Sequence, residues 1–385
     1  MTAAQDALPR TRLAVAMNAR GWSQADVIRR LRHAAELRGR QLPSDGTMTS
    51  QLSRWARGVH KPDAFHRSLF REILHEDLFN DGDDRPTTEN KPDPELLDDD
   101  FLTQIENAAA VDNGLVHELQ SHTDALRQQD RRCGARLVIQ KTAAHLLHVE
   151  NLLQYSVAPA SRRNLARVVA DTAALAAWQS LDAGDQSLAW ARFEIAKTAA
   201  REAGDHALLA FAGAEQAYVL LDVAGSKHDA IEIIRSHHYA TPMRLPAALR
   251  SWLFSAEAEA SAAAGSRNDC MRALEAADRV HPGETEGELP YLSLSGSHLA
   301  RWRGHCLTRL GEPDAVAICQ HALNEHDGAF IRARAGLLCD LATGLLAHDE
   351  HEAANVHLAE AKRLAARIGS VRQQHRIRAL QERVA

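Results

Sequence analysis

The chain of 385 residues is poor in aromatic side chains, which make up 5% of it, and it has only five cysteines. With few large rings available, Ala and Leu must fill most of the interior, and this favours closely packed helices over a sheet. The cysteines are odd in number, scattered and embedded in helical patterns, so we expect buried free thiols in a reducing cytoplasm. They are Cys133, Cys270, Cys306, Cys319 and Cys339.

Long apolar runs are also missing. No stretch approaches ~18 uninterrupted apolar residues, the length that a membrane span requires. The N-terminal segment MTAAQDALPRTR has no apolar core of the kind found in export signals. We therefore expect a cytoplasmic protein with no membrane partner.

The sequence lacks the motifs that carry common enzyme chemistry. It has no GxxxxGK[ST] phosphate-binding loop and no GxSxG nucleophile turn preceded by a strand. Glu257 and Glu259 are two residues apart, so on a helix they point in different directions. We expect that the protein is not an enzyme and has no cofactor.

The 21 histidines raise the question of a metal site, but their spacing argues against one. The segment HEAANVH, which starts at His351, places its second histidine six residues after the first, whereas HExxH places it four residues after. No CxxC pair occurs anywhere in the chain. We expect no metal and ordinary surface or interfacial histidines.

Residues 22–62 contain the most informative pattern, which predicts a helix-turn-helix. Ser23 is a candidate N-cap for one helix, with Asp26 as its capping-box acid. In the next helix Met48, Leu52 and Trp55 are spaced i, i+4, i+7 and should point inward. The first of these helices should bury Val27, Ile28, Leu31, Ala34 and Ala35, and a later helix Phe65, Leu69 and Ile73.

The outward face of the second helix carries groups that suit DNA. Hydroxyl, amide and guanidinium groups are the partners that base edges and phosphates accept in the major groove. Residues 1–78 have 13 Lys and Arg against 8 Asp and Glu, a net charge of +5, in a chain whose net charge is −6. A positive module on an acidic protein is typical of phosphate binding. The alternative is a small helical bundle whose polar face is only solvated.

Residues 10–78 resemble the lambda-repressor/Cro (XRE-type) helix-turn-helix family. The resemblance rests on Ser23-Gln24, Gly46-Thr47, the segment from Ser50 to Arg54, and Arg57-Gly58 with Pro62 after it. It implies that Gln24 contacts phosphate and that the first half of the second helix contacts bases. One departure is the segment HAAELRGRQLPSDG, which lengthens the helix after Ser23 and adds a loop. The DNA-binding residues are predicted to be Gln24, Thr47, Thr49, Ser50, Gln51, Arg54, Arg57 and Lys61.

An acidic linker follows at residues 80–101. Residues 79–102 contain nine acids and two bases, with several prolines and no helical period before Leu96. This segment is either a solvated tether or a transient occupant of the basic face. We predict a DNA-binding domain at 1–79, the linker at 80–101, connecting helices at 102–165 and a repeat domain at 166–385.

The repeat domain is indicated by turns at near-regular intervals. The turn residues are Gly184, Gly225, Gly265, Gly311 and Ala347, with spacings of 41, 40, 46 and 36 residues. Each turn lies between two amphipathic helices, which predicts an α-solenoid. The last helix, from Val371, should cap the apolar face of the final repeat or join a partner subunit. Its apolar positions are Val371, Ile377, Leu380 and Val384.

These hairpins resemble tetratricopeptide repeats (TPRs), most closely in LTRLGEPDAVAICQHAL. In such repeats the first helix of each hairpin lines a concave groove, and aromatic and Arg residues there suit an extended peptide or a flat small molecule. The alternative is that tryptophans only fill space between hairpins. The predicted ligand-binding residues are Tyr218, Trp252, Trp302 and Arg332. Weaker candidates are Glu215, Glu257, His298 and Arg334.

Together these patterns predict an all-α fold, with an N-terminal helix-turn-helix domain followed by an α-solenoid of TPR-like hairpins. The layout resembles actinobacterial regulators that pair an XRE-type domain with TPR-like repeats and, more distantly, peptide-sensing regulators of Gram-positive bacteria. It implies a dimeric transcriptional regulator that binds an inverted repeat in double-stranded DNA and senses a peptide, a small molecule or a protein. The alternative is a protein-interaction scaffold whose helix-turn-helix is vestigial or binds protein.

Overall fold

A computed structural model describes most of the chain, and the described part is all-helical, with 18 helices and no strand. The chain divides into two compact units, residues 1–93 and residues 94–385. The described residues are 11–20, 22–38, 40, 42–57, 61–74, 78, 99–223, 225–239, 245–283, 289–292, 294, 296–326, 328 and 330–383.

The first unit contains four short helices around one apolar core. Every residue predicted to be buried on the second helix is buried, and Leu69 is buried on the fourth helix. Phe65 and Ile73 are half-buried and pack against this core. The helices are α1 (Arg12–Ala19), α2 (Gln24–Leu37), α3 (Asp45–Ala56) and α4 (Ala64–Leu74).

The start of α2 is fixed by the capping box that the sequence predicted. The Ser23 backbone N–H and hydroxyl donate to an Asp26 carboxylate oxygen at 3.1 and 2.6 Å. The Asp26 N–H donates in return to the Ser23 hydroxyl oxygen at 3.2 Å. These hydrogen bonds hold the pKa of Asp26 below its usual value. They satisfy backbone donors that would otherwise lack partners at the helix start.

The second unit contains the other fourteen described helices. Most of the predicted linker lies outside the described residues, and α5 begins at Asp99, inside the predicted linker boundary. The first three of these helices, predicted as connecting helices, belong to the same unit as the repeats. The helices are α5 (Asp99–Ala109), α6 (Asn113–Cys133), α7 (Ala135–Tyr155), α8 (Pro159–Asp182), α9 (Gln186–Ala203), α10 (His206–Leu221), α11 (Lys227–Tyr239), α12 (Ala247–Ala263), α13 (Arg267–Val280), α14 (Gly296–Leu310), α15 (Ala315–Asn324), α16 (Ile331–Ala347), α17 (His351–Ile368) and α18 (Val371–Gln381).

Helices α8 to α17 pair as five successive hairpins, with the turns close to the predicted positions. The four predicted turn glycines all have positive φ, between 70° and 89°, which glycine adopts without a steric penalty. The prediction for the fifth turn, at Ala347, was wrong. Ala347 is the last residue of α16, and the residue with positive φ is Asp349 at 60°. Aspartate tolerates this conformation better than most residues that carry a Cβ.

The hairpin array closes on itself, because its last helices pack against α6, α7 and α8. Arg332 on α16 donates to both oxygens of Asp130 on α6 at 3.0 and 3.1 Å, and its Nε lies 2.9 Å from Asp182 at the end of α8. Arg372 on α18 donates to Asp222, beyond α10, at 2.7 and 3.1 Å. We call the contacts of Arg332 with Asp130 and Asp182 the clasp. The sequence predicted a concave groove but not these contacts between the last hairpin and the first helices of the unit.

The C-terminal helix caps the array as expected. Ile377 and Leu380 of α18 are buried in the core formed by α15, α16 and α17. Val371 is half-buried and packs against Gly184 in the first hairpin turn. Val384 lies outside the described residues. Helix α18 therefore covers the last hairpin and also joins it to the first.

The expectation of buried free thiols holds for four of the five cysteines. Cys133 is exposed, because it is the last residue of α6 and lies at the helix end. None of the described helices combines the length and the apolar character that crossing a bilayer requires.

Candidate functional site

Helix α3 presents one apolar face and one polar face. Met48 and Leu52 have no exposed surface and Trp55 is 7% exposed, as their spacing predicted. The Trp55 ring packs edge-on against Phe70 of α4, with ring centroids 5.8 Å apart. The Thr11 hydroxyl donates to the last carbonyl of α3 at 2.6 Å. The helix is thus fixed from behind. The exposed residues of its other face are Thr47, Thr49, Ser50 and Arg54.

Two of the predicted DNA-binding residues on α3 are less available than the others. Gln51 is half-buried, and its side-chain oxygen is enclosed without a hydrogen-bond partner among the described residues. The Thr47 hydroxyl lies 3.1 Å from the Ser44 hydroxyl, so it helps to close the first turn of the helix. Ser50 and Arg54 are exposed on the same face.

The residues predicted to contact phosphate lie before and after α3 in the chain. Gln24, the first residue of α2, is exposed. Arg57 is exposed at the C-cap of α3, and its Nε donates to the Ser53 carbonyl at 3.1 Å. Lys61 is exposed just before α4. Gly58 and His60, expected to end the helix and to add a donor, lie outside the described residues.

The second candidate site is a cavity of about 640 Å³ inside the closed hairpin array. All four predicted ligand-binding residues, Tyr218, Trp252, Trp302 and Arg332, line it. The wall is built mainly from α8, α10, α12, α14 and α16, which are the first helices of the five hairpins, and α6 and α18 complete it. This is the arrangement expected for the inner surface of such repeats.

A carboxylate that is only 12% exposed, that of Glu259 on α12, joins the groups of this wall. It accepts hydrogen bonds from the Trp302 indole N–H at 2.9 Å and from the Tyr218 hydroxyl at 3.1 Å. His305 lies between it and Asp340, with nitrogen–oxygen distances of 3.4 and 2.7 Å. Burial alone would raise the pKa of Glu259, but His305 and then Arg372 hold it well below its usual value. Burial would lower the pKa of His305, but the carboxylates on either side raise it. These shifts favour the ionised form of Glu259 and the protonated form of His305.

Arg332 differs from the prediction, because its guanidinium is used by the clasp. It is hydrogen-bonded to Asp130 and paired with Asp182, so its charge is neutralised before any ligand arrives. We therefore assign Arg332 to closure of the array, although it borders the cavity.

Trp252 and Trp302 line the cavity and also pack in the hydrophobic core. Each is buried, and each belongs to the main apolar cluster of the second unit. Their rings meet edge-on with centroids 6.5 Å apart. The sequence left open whether the tryptophans line a groove or fill space between hairpins, and their surroundings include features of both.

The weaker candidates divide into two pairs. Glu215 and His298 line the cavity. Glu257 is outside it, because its carboxylate accepts from Arg235 of α11 at 2.7 Å. Arg334 is also outside it and donates to Glu360 of α17 at 2.8 Å. Among the described residues, no three His, Cys, Asp or Glu side chains are grouped so that they could hold a metal ion.

Sequence reasoning missed several residues of the wall. A usable signal was present, since Phe211, Glu215, Tyr218 and Asp222 follow an i, i+4, i+7, i+11 pattern along a largely buried helix. The same spacing occurs on α8 and α14. The wall residues that the sequence did not predict for this site include Asp171, Trp178, Phe211, Glu259, Tyr291, Arg301, Arg309, Asp340, Arg372 and Arg376.

Comparison with known proteins assigns no family to the chain. A scan against protein-family models gave no match, and searches of the curated proteins and of the solved structures gave none either. The function is therefore inferred from the two sites themselves.

Proposed function

We propose that this chain is a sequence-specific DNA-binding transcriptional regulator. Residues 11–78 act as an XRE-type helix-turn-helix domain in which α3 enters the major groove. The hairpins from α8 to α17 act as a TPR-like sensor and dimerisation domain. Ser50 and Arg54 contact bases, with Thr49 and Gln51 beside them, while Gln24, Arg57 and Lys61 contact phosphates.

The observation that carries this proposal is the division of α3 into two faces. Its apolar residues are sealed against α2 and α4, while hydroxyl and guanidinium groups stand exposed on its other side. These are the groups that base edges and phosphates accept as partners in the major groove. The net charge of +5 in residues 1–78 adds the electrostatic attraction that phosphate binding requires.

One such domain covers only a half-site. We therefore propose that two chains pair and bind an inverted repeat, with half-sites about one helical turn of DNA, or a multiple of it, apart. An effector in the cavity would alter the pairing of the two chains and so the spacing of their DNA-binding domains.

Selection of bound duplexes from a random pool, followed by sequencing, tests both parts of this proposal. We expect one enriched motif with two-fold symmetry. A motif without symmetry would exclude binding by two paired chains but would still support sequence-specific DNA binding. If no motif is enriched at any salt concentration, the protein is not a sequence-specific regulator, and the protein-interaction scaffold becomes the better account.

The substitution Arg54→Ala tests the site. It should weaken binding to the selected duplex by ~1–3 kcal/mol and relax the preference at one base position. Arg132→Ala, which removes an exposed arginine from α6, is the matched control and should leave affinity unchanged. Equal effects of the two substitutions would exclude α3 as the helix that contacts bases.

A further inference from the structure

The cavity collects flat side chains from a chain that has few of them. Seven aromatic residues line it, although aromatics make up only 5% of the sequence. Four form a continuous series of ring contacts, with centroid distances of 4.7, 5.0 and 6.5 Å from Tyr291 through Phe211 and Trp252 to Trp302. Such a wall suits a planar apolar body. The seven are Trp178, Phe211, Tyr218, Trp252, Tyr291, Trp302 and Phe330.

The charges of the wall do not cancel locally. Seven arginines and seven carboxylates line the cavity. Four of the arginines are paired within the protein: Arg127 with Asp171, Arg332 with Asp130 and Asp182, Arg372 with Asp222, and Arg376 with Asp340. Within the part of the chain that the structure describes, Arg131, Arg301 and Arg309 have no carboxylate at ion-pair distance. The one carboxylate of the wall that likewise has no ion pair or hydrogen bond is Glu215.

Arg301 is the best placed of the three unpaired arginines. Its guanidinium carbon lies 4.7 Å from the centre of the Trp302 ring, where the indole face attracts the cation. Its Nε is buried and has no hydrogen-bond partner among the described residues. A guanidinium held on an aromatic face with unused donors is well suited to bind an anionic oxygen.

Glu215 does not offset this excess of positive charge. It has no ion pair or hydrogen bond among the described residues, and burial raises its pKa to about 8 against the opposing attraction of Arg127 and Arg131. At neutral pH the carboxyl is therefore largely protonated. A protonated carboxyl can donate a hydrogen bond to a ligand oxygen.

We propose that the cavity binds a planar aromatic anion, whose ring system lies along the Tyr291–Trp302 wall and whose carboxylate or phosphate group pairs with Arg301 and Arg309. Its volume of about 640 Å³ is that of a site for a small organic molecule. This inference rests on the proposed sensing role, for which it names the ligand class.

A matched series of pyrene compounds tests the proposal on the full-length protein. The probes are 1-pyrenecarboxylate, 1-pyrenylmethyl phosphate, 1-pyrenemethanol and 1-pyrenemethylammonium, with acetate and inorganic phosphate as anions that lack rings. Calorimetry should give one site per chain. We expect one or both ring anions to bind about tenfold or more tightly than the alcohol, because a charged hydrogen-bonded pair exceeds a neutral one by that amount. The relative affinities of the two anions distinguish carboxylate from phosphate.

Two arginines on α14 provide the variant and its control. Arg301→Gln should weaken the ring anions about tenfold and change the alcohol little. Arg303→Gln should change neither, because Arg303 pairs with Asp278 outside the cavity. If Arg301→Gln fails to fold, Arg309→Gln, at an exposed position, should weaken the same anions.

Equal binding of the alcohol and the anions would overturn the proposal, as would absence of binding by every ring compound or equal effects of the two glutamine variants at Arg301 and Arg303. The same preparations are assayed on the selected duplex. If the ring anions bind but the duplex does not, the proposed regulatory function is excluded and the proposed ligand site stands. DNA binding without a preference for anions would do the reverse.

Discussion

The two units of this protein use arginine in opposite ways. In the first unit, Arg54 and Arg57 stand on the surface of a small bundle whose interior is apolar. In the second unit, Arg127, Arg332 and Arg376 lie around an internal cavity, where carboxylates hold them. An outward arginine can bind an external phosphate at little structural cost. Four of the seven arginines around the cavity are paired with carboxylates, and those carboxylates become part of the fold. The first arrangement suits a macromolecular surface and the second a small ligand.

The largest effect on stability should come from removing the arginine of the clasp. Arg332→Ala leaves Asp130 and Asp182 buried without their cation, and we expect a loss of ~3–5 kcal/mol in the unfolding free energy of the second unit. Arg334→Ala is the control. It removes a more exposed pair with Glu360 and should cost less than ~1 kcal/mol. Urea titration followed by circular dichroism measures both variants. Similar small losses would show that the clasp does not hold the array closed.

The next effect concerns the unpaired acid of the cavity. Because the folded protein raises the pKa of Glu215 from 4.5 to about 8, its contribution to stability is fully present below pH 4.5. It is lost as the pH rises through 8, since the unfolded chain ionises first. Over that window Glu215→Gln should therefore gain ~1–3 kcal/mol relative to the wild type. Thermal melts at pH 5.0 and pH 8.5 test this, with Glu106→Gln, on the exposed surface of α5, as the control. A gap between Glu215→Gln and the wild type that does not widen with pH would contradict the assignment.

A smaller effect on stability is expected in the first unit, at the Ser23 hydroxyl, which is hydrogen-bonded to Asp26. Ser23→Ala removes the hydroxyl of the capping box and should destabilise this unit by ~1 kcal/mol. Ser50→Ala, on the exposed face of α3, should leave stability nearly unchanged and affect only DNA binding. Thermal melts together with binding to the selected duplex separate the two cases. Equal stability losses would mean that the two faces of this unit are not distinct.

Local periodicity predicted much of this architecture. The i, i+4, i+7 spacing of Met48, Leu52 and Trp55 placed them in the core, because a helix of 3.6 residues per turn brings such positions to one side. Small turn residues located four of the five hairpin turns for the same kind of local reason. The fifth turn was predicted at Ala347, but the residue with positive φ is Asp349.

Contacts between distant parts of the chain were not predictable in this way. Arg332 and Asp130 are 202 residues apart, and no local pattern links them. Glu259 likewise serves Tyr218 and Trp302, each more than 40 positions away. The candidate residues on α3 follow from one helix face, whereas the cavity depends on seven helices meeting. Sequence therefore named individual wall residues but neither their partners nor the closure of the array.

The salt dependence of duplex binding tests the central claim most directly. Log affinity for the selected duplex should fall linearly with log salt concentration, with a slope of ~0.9 for each phosphate contacted. Arg57→Ala should reduce that slope by about one, because one phosphate contact is lost. Duplex binding that is absent at low salt, or that does not change with salt, would contradict the assignment of the exposed face of α3 and its flanking cations to DNA.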